Sequence, residues 1–324
     1  MIKKLKENKK LLILSTIVAI FAVFGVITIL TKQGIINRYY SGILLSTCIN
    51  VILVVSLNLT TGFLGQLTLG HAGFMAVGAY ASAYCTKVVF ASLPAIVSFP
   101  LSLLIGGSLA LVFGIIIGFP TLRLRGDYLA IITLAFGEVI RTILLNLNFI
   151  GGAKGYSGIQ RYSTFAWAYF LAVATVIIIV MLIKSRHGRA IISVREDEIA
   201  AEASGINTAN YKILAFVFAA FFAGIAGGLY AHYMGILEPK AFTFNKSIEI
   251  LVMVVLGGMG NIKGAIISAI VLTILPELLR SVSEYRTMIY ALVLIIMMLA
   301  KNSPSFKAFL LKIKSSLSRK ETSQ

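Results

Sequence analysis

Apolar residues come in long windows along this chain, each closed by charges or by a cluster of glycine and proline. The windows fall at about 11–30, 39–57, 70–90, 95–119, 127–147, 165–183, 211–233, 247–257, 264–280 and 286–300. A helix needs roughly 20 mostly apolar residues to cross a bilayer. The pattern therefore predicts an all-α polytopic membrane helical bundle of about ten transmembrane helices (8–10). The window 247–257 is short, and it reads either as a full crossing or as a broken or re-entrant element. The spans divide evenly, five in 11–147 and five in 165–300, within one membrane domain covering 1–324. Because five is odd, the halves would have opposite orientations. That permits an inverted repeat, a plan common among transporters, although the halves share no strong self-similarity.

One stretch contradicts its surroundings. No charge occurs between Arg38 and Lys87, so the run belongs in lipid. Yet its middle, NLTTGFLGQLTLGHAGF, holds Asn58, Thr60, Thr61, Gln66, Thr68 and His71, interleaved with Gly62, Gly65, Gly70 and Gly73. Every backbone donor and acceptor in lipid needs an internal partner, and a helix can break only where protein or a water-filled cavity covers the break. We expect an interrupted segment between the second and third windows. Three readings stand: close packing through small residues, a plain cytoplasmic turn, or the lining of a translocation path. The candidate path residues are Asn58, Thr61, Gly65, Gln66, Gly70 and His71. His71 has no partner spaced to share a metal, so it is expected to hydrogen-bond a nearby carbonyl. Elsewhere the pairs Gly114/Gly118, Gly224/Gly228 and Ala265/Ala269 have the spacing of helix-packing contacts.

Charge inside a span is costly, about 2.5–3.5 kcal/mol at mid-membrane on insertion scales. Glu138 and Arg141 are three apart in the fifth window, so one helix face holds both. They read as an intramembrane ion pair or as a substrate contact. If they are only a pair, exchanging them should preserve assembly where Glu138→Ala does not.

Composition agrees with the windows. Of 324 residues, 58% are hydrophobic and 13% charged, against about 25% charged in soluble domains. The net charge of +17 would suit nucleic acid, but its distribution suits a membrane. With the N-terminus inside, 19 of the 29 Lys and Arg residues fall on the cytoplasmic side, as the positive-inside rule requires. Both termini are then cytoplasmic, and no nucleic acid is expected as a partner. The start, MIKKLKENKK and an apolar stretch of about 20 residues, reads as a first span, being too long for a signal peptide's apolar region. Cys48 and Cys85 are expected to pack in the membrane. The longest polar stretch between windows is 184–212, KSRHGRAIISVREDEIAAEASGINTANYK; it predicts one short helix, a turn at Gly205 and the start of the next span. No G-x-x-x-x-G-K-[ST], H-E-x-x-H, G-x-S-x-G or C-x-x-C occurs. The sequence thus presents no catalytic residue, cofactor site or metal site of these kinds.

Several long segments, in order from about residue 55 to 275, resemble the LivM-type permeases of bacterial ABC importers for branched-chain amino acids. They are NLTTGFLGQLTLGHAGFMAVGAY, LRLRGDYLAIITLAFGEVIR, GGAKGYSGI, SRHGRAIISVREDEIAAEASGINTANYKILAFVFAAFFAGIAGGLYAHY and VLGGMGNIKGAIISA. The resemblance implies a multi-pass protein of the bacterial cytoplasmic (inner) membrane that passes hydrophobic amino acids inward. It implies a LivH-type permease as heterodimer partner, two cytoplasmic ABC ATPase subunits and an extracytoplasmic substrate-binding protein, all around a chain set in membrane lipid. It also implies an ATPase coupling loop at 184–212, with Glu198, Ala200, Ala201, Glu202 and Gly205 on or beside the family's E-A-A-x-x-x-G pattern. Ile199 stands where that pattern has its acid. Two alternatives remain: a urea or short-amide permease of the same family, and a channel or carrier that needs no ATPase.

Overall fold

The structure, a computed structural model, describes residues 18, 20–31, 33, 34, 37–121, 126–279, 292 and 295. Its architecture is the all-α membrane bundle that the apolar windows predict. Among the described residues, five helices are long and apolar enough to cross a membrane: α2 (Arg38–Asn58, continued to Phe63), α4 (Ala95–Thr121), α5 (Asp127–Asn146), α6 (Phe165–Lys184) and α9 (Thr208–Met234). They fall on the windows at 39–57, 95–119, 127–147, 165–183 and 211–233. Three more windows form shorter helices, α3 (His71–Tyr84), α10 (Phe244–Gly257) and α11 (Ile262–Leu278). The apolar helix α1 (Ile20–Thr31) occupies part of the first window. The last window lies outside the described residues apart from 292 and 295, and so do both termini.

Polar residues at helix starts set where these elements begin. Asn37 Oδ1 accepts from the amides of Tyr39 and Tyr40 at the head of α2, and Asn207 and Asn261 do the same for α9 and α11. Each satisfies amides that lack a helical partner. At the centre, α9 packs against both α3 and α4, while α2 carries α6 and α11 on its other side. Lipid tails are as apolar as leucine, so helix contact here depends on close van der Waals fit. A Cβ on Gly78 would stand 2.2 Å from the Cα of Gly224, so α3 and α9 touch backbone to backbone. Gly114, Gly224 and Gly228 closely approach the side chains of Ala220, Ala110 and Leu103, Gly118 lies in ordinary contact with Ile213, and Ala265 and Ala269 are fully buried.

The polar stretches close the two ends. Residues 148–164 fold into short 3₁₀ turns and a strand, β1 (Tyr156–Ser157), antiparallel to β2 (Ile236–Leu237). The stretch 184–212 differs from expectation, because it holds two helices, α7 (Arg186–Glu196) and α8 (Glu198–Ala203). Asp197 separates them. Its backbone is extended (φ −158°, ψ 111°), and its carboxylate accepts from the amides of Ile199 and Ala200 at 2.9 and 3.1 Å.

Candidate functional site

The site is where α2 breaks. Its helix widens into one π-helical turn, Leu59–Phe63, closed by Leu64 N donating to Leu59 O at 3.1 Å. Single π turns recur at functional positions. The chain then turns at Gly65, φ +78°, and residues 66–70 pass beside the helix end without regular secondary structure. Gln66 N donates to Thr60 O at 3.0 Å, the hydroxyls of Thr60 and Thr68 lie 3.4 Å apart, and Leu69 N donates to Thr133 Oγ1 of α5 at 3.0 Å. Thr68 and Gly70 are buried. Protein thus covers the π turn, Thr68 and Gly70, while Gly65 at the turn itself is exposed. α3 starts only at His71, whose Nε2 lies 3.0 Å from Ser56 Oγ, and the ring also hydrogen-bonds the Leu53 carbonyl, the kind of partner expected. Ala72 N donates to Ser247 Oγ of α10 at 3.1 Å.

Asn58 ties this end to the turn between α10 and α11. Its Oδ1 accepts from Gly260 N at 2.9 Å. A Cβ on Gly62 would stand 2.2 Å from that same amide, so only glycine allows the approach. Three buried polar atoms on the break have no hydrogen-bond partner among the described residues: Asn58 Nδ2, Thr61 Oγ1 and Gln66 Oε1. An unsatisfied buried group costs about 1–3 kcal/mol. Of the predicted path residues, the structure gathers Asn58, Thr61, Gly65 and Gln66 at this end. Gly70 lies against Thr133 of α5, and His71 lies against Ser56 of α2.

The α7–α8 layer is fastened to the same place. Arg195 lies across Gly65 and donates from Nη1 to Gly62 O at 3.0 Å, while its Nε and Nη2 engage Glu196. Leu59, Phe63, Leu64, Leu129, Ile191, Val194, Ala201 and Phe216 form one apolar cluster under the layer. The expected coupling residues divide by direction. Ala201 is buried in that cluster, and Glu198 pairs with Lys212. Glu202 Oε1 accepts from Thr208 Oγ1 at 2.7 Å. Ala200 and Ile199 face outward, Ile199 being 69% exposed. Gly205 has φ +81° and ends the α8 turn. Sequence reading missed Arg195 and Lys212. An arginine closing a short amphipathic helix and a lysine just inside the apolar window 211–233 are the signals that could have found them.

The pair in α5 sits toward the opposite end. Arg141 Nε donates to Glu138 Oε2 at 2.7 Å. Glu138 also accepts through Oε1 from Phe244 N, at the head of α10, at 3.2 Å. The carboxylate thus binds a helix start as well as its cation.

A family model for the permease component of branched-chain amino acid transport systems matches residues 39–300. The chain belongs to that family. Among relatives of this chain is the high-affinity branched-chain amino acid transport system permease protein LivM of Escherichia coli, 36% identical over 288 residues. That alignment takes in 78% of this chain and 66% of the relative, slightly under two thirds of its length. The probable LivM protein of Methanocaldococcus jannaschii is 31% identical over 191 residues, 55% of each chain. The LivH permease protein of Salmonella typhimurium is 30% identical over 154 residues, 46% of this chain and 49% of the relative. No solved structure matches.

Proposed function

We propose that the chain is a transmembrane permease subunit of an ATP-driven importer for branched-chain amino acids in the bacterial cytoplasmic membrane, with both termini inside. It forms the translocation path with a LivH-type partner. Two cytoplasmic ATPases, which supply the nucleotide site this chain does without, dock on the α7–α8 layer through the outward residues Ile199 and Ala200. An extracytoplasmic binding protein delivers substrate to the opposite end. The observation that carries this reading is the fastening of α7 and α8 to the broken end of α2 through Arg195, Ala201 and their apolar cluster. A push on α8 then moves Gly62 and Asn58 as one body, and rigid-body motion of packed helices is a standard route for such coupling. The unpartnered atoms Asn58 Nδ2, Thr61 Oγ1 and Gln66 Oε1 are offered as path-lining groups, since a hydrated path would satisfy them.

The test is ATP-driven uptake of labelled leucine into proteoliposomes holding the chain, its partner permease and the ATPases. Uptake should require ATP and should be competed by isoleucine and valine. Competition by urea alone would transfer the cargo to short amides. Uptake without the ATPases would instead make the protein a carrier.

A further inference from the structure

Opposite the α7–α8 layer, α2 and α6 begin beside the end of α9, and a polar cavity of about 560 Å³ opens between them. Arg38 and Arg161 line it with Ser41, Thr164 and Tyr233, and among the described residues no acidic one does. Arg38 is exposed and has no hydrogen-bond or ion-pair partner among the described residues. Arg161 spends one N–H on Met234 O at 3.2 Å, which leaves the rest of its fork free. Thr164 precedes α6 without capping it, so first-turn amides of that helix add to a positive field.

Through Phe165, Thr164, Ser41 and Thr31 this cavity shares walls with a second space of about 270 Å³, which through Leu44 and Phe165 shares walls with a third of about 550 Å³. The third is a groove between α1, α2, α6 and α11, lined almost wholly by aliphatic side chains. Its wall on α6 runs from Phe165 to Met181, about 24 Å at 1.5 Å per residue. That exceeds the ~15 Å half-thickness of a bilayer's hydrocarbon core. Val23, Ile177 and Met181 on its rim are about half exposed or more, so the groove opens toward lipid.

A two-arginine head that adjoins a long aliphatic slot across shared walls is complementary to an amphiphile carrying an acidic headgroup. We propose that this is a specific site for one anionic phospholipid of the leaflet away from the α7–α8 layer. Its phosphate sits between Arg38 and Arg161, and one acyl chain lies along Val173 and Ile177. Arginine suits the headgroup because its planar fork matches phosphate oxygens in pairs. A free amino acid would fill the head and leave the slot unused, and an acidic segment of a protein would do the same.

The test is native mass spectrometry of the full chain released from mild detergent after equilibration with equal phosphatidylglycerol and phosphatidylcholine. Wild type should retain phosphatidylglycerol about ten-fold over phosphatidylcholine. R38Q should lower that preference several-fold, and R38Q/R161Q should remove it. V173W should lower retention of phosphatidylglycerol with both arginines intact, because the indole fills the slot. Thermal melting in detergent identifies any variant that fails to fold, and R38Q, at an exposed position, serves if the double variant does. Equal retention of the two lipids by wild type would overturn the proposal, as would a preference that survives R38Q/R161Q. Displacement by millimolar inorganic phosphate would reassign the head to a free anion, and displacement by leucine would reassign it to substrate. Indifference to V173W would show that no chain occupies the groove. Each of these three results also overturns the proposal.

Discussion

Lys212 and Glu198 form a pair whose two members are not equally protected. The lysine side chain is 3% exposed and the glutamate 21%. Breaking a buried pair costs about 3–5 kcal/mol, because one charge is left without compensation. The cost should fall unevenly here. Glu198→Gln leaves a dry ammonium behind and should lower stability by about 3 kcal/mol. Lys212→Met leaves a carboxylate that water can reach and should cost about 1 kcal/mol. Denaturant or thermal unfolding in detergent reads both, and the reverse order would contradict the burial seen here. A second residue-scale prediction changes between sequence and structure. As a simple pair, Glu138 and Arg141 would tolerate exchange. In the structure Glu138 also accepts from Phe244 N, and an arginine in its place would set a cation against the positive start of α10. We expect the exchanged variant to reduce the yield of folded protein several-fold, like Glu138→Ala, while Glu138→Gln keeps an acceptor and recovers most of it. Fluorescence-detected size exclusion distinguishes these outcomes; wild-type yield from the exchange would leave no role for the bond to Phe244.

At the scale of elements, the long helices were legible because an uncharged window of 20 residues has few other places to go. The break after Asn58 was legible too, since glycines mixed with Asn, Thr and Gln cannot extend a lipid-facing helix. What could not be read was its company: Gly260 is far along the chain from Asn58, and nothing near either residue announces the bond between them. The division of α7 from α8 was missed for a different reason. VREDEIAAEA reads as one charged helix, and the hydrophobic pattern is silent about a single extended residue. The N-cap preference of aspartate was the available signal at Asp197. Past α8 the turn depends on Gly205, where φ is +81° and the amide donates to Glu202 O at 2.9 Å. Proline there would fix φ near −65° and delete that donor. Gly205→Pro should therefore abolish uptake while the protein still inserts and is recovered from membranes. Gly205→Ala has open space around its Cβ and faces only the left-handed backbone penalty of about 1–2 kcal/mol, so it should retain much of the activity. Normal uptake by the proline variant would argue against any role for this turn in coupling.

Across the whole molecule, the two ends are built differently, and that bears on how force could pass between them. The end with β1 and β2 is held by short backbone pairings and by Lys87 Nζ donating to Ser157 O at 2.8 Å. The other end is held by the apolar cluster around Ala201 and by one side chain that reaches over glycines. Arg195 crosses Gly65, approaches Gly260 and donates to Gly62 O, so it touches α7, the π turn and the α10–α11 turn at once. Its side chain is 36% exposed, so its bond to Gly62 belongs at the lower end of the range for charged donors, about 1.5 kcal/mol. That is too little to unfold a bundle held by backbone-close packing of α3, α4 and α9, but enough to change a two-state balance about ten-fold. Arg195→Ala should therefore leave the folded yield and the ATPase rate of the assembled transporter near wild type while cutting uptake per ATP about ten-fold. Arg195→Lys keeps the charge and one donor but cannot also hold Glu196 in the same geometry, and should fall between. If uptake and hydrolysis drop together in Arg195→Ala, the residue serves assembly. If neither changes, the layer transmits its motion through the apolar cluster around Ala201 alone.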